Sequence, residues 1–475
     1  MNKINVSGET RLEHDLLGDK KVPTEYYFGI QTLRAVENFD ISRVKLGMFP
    51  NFVKGLAIVK EAAAMANRDL GMLDPKVADA IIYACQQVKS GKYDDHFVVD
   101  MIQGGAGTST NMNANEVIAN LALEKMGHKR GEYKYCHPNN HINLSQSTND
   151  AYPTAVRISM LLSTTKVVDT LKLLIKSFDD KAVEFNDVIK MGRTQMQDAV
   201  PMTLGQEFHA FASTLKEEVG RFEQNSKLLL EVNMGATAIG TGINSDPDYT
   251  PICVKHLRDI TGMPFVASTD MVEATSDTGV FIMYSAVLKR LAIKLSKICN
   301  DLRLLSSGPR TGFNEINLPP MQPGSTIMPG KVNPVIPEVV SQIAFKVTGN
   351  DITITMACEA GQLQLNAMEP IIVYSINESM EMLTNGMNTL RERCIVGITA
   401  NKEHCKELVY NSIGLVTALN PYLGYEVSTE LAAEAMATGK GLVELVLAKK
   451  YMTKEELEDV LSPEKMVKPR KFEAR

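Results

Sequence analysis

The stretch GSTIMPGKVNP, Gly324 to Pro334, brings two hydroxyls, an ammonium and an amide into one short segment: Ser325, Thr326, Lys331 and Asn333. Its two glycines and two prolines bar a continuous helix, so backbone N–H groups there can turn toward a ligand. A lysine beside an asparagine suits a carboxylate, and the neighbouring hydroxyls add donors. Three further polar segments offer comparable groups. GGAGTSTNMNANE presents Thr108, Ser109, Thr110 and Asn111 ahead of an apolar run that begins at Val117. It reads either as an anion cradle at a helix N-terminus or as an ordinary cap. SQSTND supplies Ser147, Thr148 and Asn149 just upstream of a long helical pattern, where a cap is again the alternative. GRTQMQD supplies Arg193, Thr194, Gln195 and Gln197, or else is a helix-ending glycine followed by a solvated turn.

Other chemistries find no support. No Gly-Lys-Ser/Thr follows the glycine-rich segment, and no dinucleotide-binding spacing is present. There is no Ser/His/Asp or Cys/His set, and the eight histidines show no metal-ligand pattern. His137 and His141 lie four apart, but Pro138 and two asparagines separate them, so they read as surface or structural residues. Cofactor-free chemistry on a small polar molecule remains.

Long helices must position these segments. Leu161, Val168, Ile175, Ala182 and Ile189 recur every seven residues, with Leu171, Phe178 and Phe185 between them. This stripe predicts one bundled helix over Leu161–Ile189, about 45 Å long. A helix of that length points to a multi-subunit bundle. Glycine- and proline-free stretches at Glu207–Val219, Phe281–Ser307 and Ile371–Asn385 predict further helices. The C-terminal part changes to short helices, opened by the capping-box pattern Thr453-x-x-Glu456 and by Ser462 before Pro463.

At 475 residues the chain exceeds a single core and predicts two or three domains. Hydrophobic residues at 44% and charged residues at 22% are ordinary for a globular protein. A net charge of −6 without a basic cluster argues against a nucleic-acid partner. Seven scattered cysteines without a CxxC pair argue against a disulfide framework and suit a reducing compartment. The N-terminal segment lacks an apolar signal core, and no run of about 18 apolar residues spans a membrane, so a cytoplasmic location is expected.

Taken together, these segments resemble the aspartase/fumarase superfamily, whose signature GSxxMPxKxN is matched at Gly324, Ser325, Met328, Pro329, Lys331 and Asn333. GGAGTSTNMNANEV and SQSTNDAYPTA match its other two regions, and the likeness extends over nearly the whole chain. Within the superfamily the sequence is most similar to the aspartate ammonia-lyase branch. Class II fumarases typically carry serine where this chain has Thr148, and histidine where it has Gln195. That histidine also occurs in some aspartases. The family usually has serine at the position of Thr326.

The resemblance implies a mainly α fold of three domains (1–147, 148–403 and 404–475) around a long-helix bundle. It implies a homotetramer in which three subunits contribute to each active site. The implied reaction converts L-aspartate reversibly into fumarate and ammonia through an aci-carboxylate. In it Ser325 is the base, and Thr108, Ser147, Thr148 and Thr326 bind the β-carboxylate. Lys331, Asn333 and Thr194 anchor the α-carboxylate, while Asn149 and Gln195, with Thr108, contact the amino group. No cofactor is implied, and activation by a divalent cation such as Mg2+ stays open. The alternatives are a class II fumarase or a non-catalytic member that keeps the fold.

Overall fold

The structure is a computed structural model describing residues 8–469 and residue 471. The first seven residues, part of the segment read above as lacking a signal core, lie outside the described residues, as does the extreme C-terminus of the 404–475 segment. The fold is mainly helical and divides into two compact units. One comprises the chain to Val168, Gly220–Arg290 and Phe345–Leu383; the other comprises Asp169–Val219, Leu291–Ala344 and the chain from Thr384.

The first unit opens with an antiparallel hairpin, β1 (Thr10–Asp15) and β2 (Gly18–Pro23), which the sequence reading did not anticipate. Helix α1 (Ile30–Asn38) follows. Helix α2 (Pro50–Asp69) starts on Pro50, whose fixed φ suits a first turn. Its alanine-rich sequence is buried on almost every side, Lys60 included. Asp74 caps α3 (Pro75–Lys89), accepting from the Lys76 and Val77 amides. Helix α4 (Thr108–Lys125) is buried from Thr110 to Leu123.

The chain then enters α5 (Thr148–Glu184) and α6 (Leu204–Ser226), passes α7 (Tyr249–Thr261) and α8 (Met271–Ser276), and continues in α9 (Gly279–Leu305), α10 (Val335–Glu359) and α11 (Glu369–Arg393). Each of α5, α6, α9, α10 and α11 has residues in both units. The helix predicted over Leu161–Ile189 is displaced at both ends. It begins earlier, at Thr148, and ends at Glu184, while Ile189 opens a strand. Asn186 and Asp187, both weak helix formers, occupy the turn between them. Pro153 lies inside α5 without breaking it. The carbonyl it leaves without an amide partner, that of Asn149, accepts instead from Asn233 Nδ2 at 3.0 Å.

In the second unit β3 (Ile189–Thr194) and β4 (Gln197–Thr203) form an antiparallel hairpin. Ile189 and Met191 on β3 share a core with Val409, Leu415, Leu431, Leu445, Val446 and Leu457 from the C-terminal helices. Each such side chain contributes about 1.5–3 kcal/mol on burial. Thr453 and Glu456 form the expected capping box on the helix Lys454–Val460. Ser462 precedes the helix Pro463–Met466 as expected, although its side chain makes no cap bond. The seven cysteines are free, and among the described residues no helix is long and apolar enough to cross a membrane.

Candidate active site

Four of the sequence-derived site residues lie in the first unit. Gly107 adopts a left-handed φ of 88° and places Thr108 as the first residue of α4. A Cβ at Gly107 would come 2.6 Å from the Tyr152 ring, so glycine is required there twice over. Thr108 is exposed, and its Oγ1 donates to the Gly105 carbonyl at 2.8 Å. Ser147 caps α5: its Oγ accepts from the Asn149 amide at 3.2 Å, and Asp150 Oδ1 accepts from the Ser147 amide at 2.9 Å. Ser147 is therefore a cap, a role that leaves its hydroxyl proton to donate elsewhere. Asn149 Nδ2 donates to the Ala238 carbonyl at 2.7 Å, which leaves Oδ1 as its acceptor.

Beneath these residues lies a polar network that the sequence reading missed. Lys60, fully buried, donates to Asn111 Oδ1 (2.7 Å), Gln146 Oε1 (2.8 Å) and Asn143 Oδ1 (3.1 Å). Asn111 Nδ2 in turn donates to Asn143 Oδ1 at 3.0 Å and Thr148 Oγ1 at 3.1 Å. Asp150, also fully buried, accepts from the backbone amides of Gly235 (3.1 Å) and Thr237 (3.0 Å) as well as that of Ser147. Burial lowers the Lys60 ammonium to about 7, against the attraction of Asp150. Burial likewise raises Asp150 to about 6, against its three backbone donors and Lys60. A cavity of about 400 Å³ is lined by Asn139, Asn143, Gln146, Ser147, Thr237 and Asn244, among others. His137 and His141 are structural: the His137 amide donates to His141 Nδ1, and His137 Nδ1 accepts from the Asn139 and Asn140 amides.

The remaining site residues lie in the second unit. Thr194 ends β3 opposite Gln197, and Gln195 (φ 53°) and Met196 (φ 65°) make the two-residue turn. The reading of this segment as the end of a helix is thereby corrected, since Gly192 and Arg193 are strand residues. Beneath the hairpin the fully buried Glu315 pairs with Arg193 at 2.6 Å and Lys190 at 2.9 Å. Lys190 also pairs with Glu207 at 2.6 Å. Gln195, Arg193, Lys190 and Phe313 line a cavity of about 400 Å³.

The segment Gly324–Pro334 is a loop closed on itself. The Gly324 amide donates to the Lys331 carbonyl at 2.7 Å, and Asn333 Nδ2 donates to the Gly324 carbonyl at 2.6 Å. A Cβ at Gly324 would lie 2.6 Å from the Lys331 carbonyl oxygen, so only glycine fits. Ser325 Oγ accepts from the amides of Met328 (2.9 Å) and Ile327 (3.2 Å). Two N–H donors aimed at a hydroxyl oxygen favour its anion. Lys331 and Thr326 are exposed, and the Lys331 side chain has no hydrogen bond or ion pair among the described residues. The loop thus unites Ser325, Thr326, Lys331 and Asn333. Among the described residues no hydrogen bond joins it to Thr194 or Gln195.

Long helices begin or end at these hydroxyl- and amide-rich loops, and likeness to known proteins identifies the chain as a lyase. A family model described as "Lyase" matches residues 18–349, and a second, "Fumarase C C-terminus", matches residues 415–468. The chain is 61% identical to an aspartate ammonia-lyase of Pseudomonas aeruginosa over 97% of its length and 98% of that protein. It is 53% identical to a Brucella melitensis protein titled fumarate lyase:delta crystallin, solved bound to cobalt. That match has a TM-score of 0.94 and covers 97% of this chain and 100% of that one. A class II fumarase from Schistosoma mansoni is 36% identical with a TM-score of 0.91, covering 96% and 99%. The chain belongs to the aspartase/fumarase superfamily of lyases.

Proposed function

We propose that the protein is a carbon–nitrogen lyase, an aspartate ammonia-lyase, that interconverts L-aspartate with fumarate and ammonia. The observation that carries this reading is Ser325 Oγ with two backbone N–H groups directed at it, on a loop that also holds a lysine and an asparagine. Serine is a weak base unless its alkoxide is stabilised, and those two donors supply part of that stabilisation. Ser325 takes the Cβ proton, and the electron pair moves into the β-carboxylate to give an aci-carboxylate. That intermediate collapses to form the double bond and breaks the Cα–N bond, and ammonia leaves. The proton on Ser325 returns to solvent or to the ammonia.

In this scheme Thr108, Ser147, Thr148 and Thr326 hold the β-carboxylate as its charge grows, Thr108 by turning its hydroxyl proton from the Gly105 carbonyl to the ligand. Lys331, Asn333 and Thr194 anchor the α-carboxylate. Asn149 and Gln195, with Thr108, receive the amino group, and the acceptor Oδ1 of Asn149 suits that task. The chemistry needs no cofactor, and a divalent cation would act as an activator only. The exposed loop, with Ile327 84% accessible, closes over bound substrate.

The division into 1–147, 148–403 and 404–475, a cytoplasmic location and a homotetramer with shared sites belong to the same proposal. Exposed Phe345, Ile352 and Met356 recur at seven- and four-residue spacing on α10, as a helix covered by other subunits would have them. Product analysis separates the alternatives. Fumarate with ammonium must yield aspartate, and fumarate alone must yield no malate. Malate formation assigns a fumarase instead, and binding of dicarboxylates without turnover assigns a non-catalytic member.

A further inference from the structure

The buried lysine of α2 has no role in the scheme above, yet its surroundings are fully determined. In its ammonium form, which Asp150 favours against burial, Lys60 has three donors and no acceptor. The three groups that meet Lys60 Nζ are all amide oxygens, from Asn111, Asn143 and Gln146. The orientations of two of these amides are fixed independently. Asn143 Nδ2 donates to the Gln146 carbonyl at 3.0 Å. Gln146 Nε2 donates to the carbonyls of Ile142 (2.9 Å) and Leu144 (3.1 Å). Their oxygens therefore face the lysine. The Asn111 amide then has one permitted orientation: Oδ1 toward Lys60, and the two protons of Nδ2 toward Asn143 Oδ1 and Thr148 Oγ1.

We infer that Lys60 is a positioning residue that, through Asn111, fixes the direction of the Thr148 hydroxyl. Because Thr148 Oγ1 receives a proton from Asn111, its own proton points away from the network and is available to a ligand oxygen. Were the Asn111 amide to flip, its oxygen would face Thr148, and the hydroxyl would spend its proton inward. A hydroxyl is donor and acceptor alike, so its usefulness to an anion depends on that choice. The inference rests on the assignment of Thr148 to the β-carboxylate of L-aspartate.

The decisive variant is Asn111→Asp, which keeps shape and gives Lys60 a carboxylate partner but presents only acceptors to Thr148. It is measured in a double-mutant cycle with Thr148→Val, with kcat/KM for L-aspartate as the readout and a thermal melt as the control. Asn111→Asp and Thr148→Val must each lose roughly 10²-fold, the loss typical of one donor to a developing oxyanion. The double variant must lose no more than either alone. Wild-type kcat/KM in Asn111→Asp, or multiplicative losses in the double variant, overturns the inference. Lys60→Met, cycled with Thr148→Val in the same way, serves should Asn111→Asp not fold. Failure of both variants to fold makes the network a folding element and also overturns the inference. Wild-type protein inert toward L-aspartate would instead refute the functional reading itself. In that case the cycle is read on fumarate binding by calorimetry, with the same two outcomes.

Discussion

Glu315 links the stability of the second unit to the hairpin that carries Thr194 and Gln195, and Glu315→Gln tests that link. Its carboxylate is inaccessible and lies between two β3 cations, Arg193 at 2.6 Å and Lys190 at 2.9 Å. Removing one member of a buried ion pair costs about 3–5 kcal/mol, chiefly because the other charge is stranded. Here the stranding is incomplete. Lys190 keeps Glu207 at 2.6 Å, and the Arg193 guanidinium rests 4.3 Å from the centre of the Phe313 ring. The low end, about 3 kcal/mol, is therefore expected. For a unit of this size that is a fall in Tm of about 6–12 °C. The hairpin tip serves binding in the proposed scheme, while the base is on another loop. KM for L-aspartate should accordingly rise more than kcat falls. Thermal melts followed by circular dichroism and initial rates over a range of aspartate concentrations measure both effects. A Tm within about 2 °C of wild type, or a loss confined to kcat, would refute the reasoning.

Three further expectations follow from individual positions. Ser325→Ala should melt like wild type yet lose roughly 10²–10⁴-fold in kcat, the usual worth of a positioned base; retained turnover would remove Ser325 from that role. Gly324→Ala drives a Cβ to 2.6 Å from the Lys331 carbonyl oxygen and 2.8 Å from the Asn333 amide. The loop must reopen, and a displacement of about 1 Å at the site can cost roughly 10²-fold in kcat/KM; unimpaired kinetics would show that the loop geometry is dispensable. Glu369, buried at the start of α11, is raised from 4.5 to about 8 by burial, against the charge of Arg157. The folded state thus holds its proton more tightly than the unfolded chain. Its contribution is complete below pH 4.5 and is lost as pH rises through about 8. Melts of wild type and Glu369→Gln should therefore diverge between pH 5 and pH 8.5, with wild type losing ground; a constant difference would contradict the linkage.

The loops were legible in the sequence because their chemistry is local. Glycine at 324 and 107, prolines, and runs of hydroxyl and amide side chains announce where helices must stop and what they present. Helix periodicity was legible too, but its boundary was not. Ile189 continues the seven-residue stripe of α5 and also begins the alternation Ile189, Met191 that faces the C-terminal core, and strand pairing with Thr203 decides between them. Lys60 shows the opposite case. A lysine within GLAIVKEAAAMAN signals a buried charge, yet its three amide partners come from segments 51 to 86 residues away, and only the fold assembles them. The Glu315 pairing with β3 is likewise a product of packing, over a separation of 122 residues for Arg193.

The central claim is that this chain eliminates ammonia from L-aspartate using only its own side chains. Wild-type protein, freed of metal by a chelator and incubated with L-aspartate at neutral to alkaline pH, is followed by the ultraviolet absorbance of fumarate. Fumarate and ammonia should accumulate in equal amounts. A folded, assembled protein that yields neither contradicts the claim.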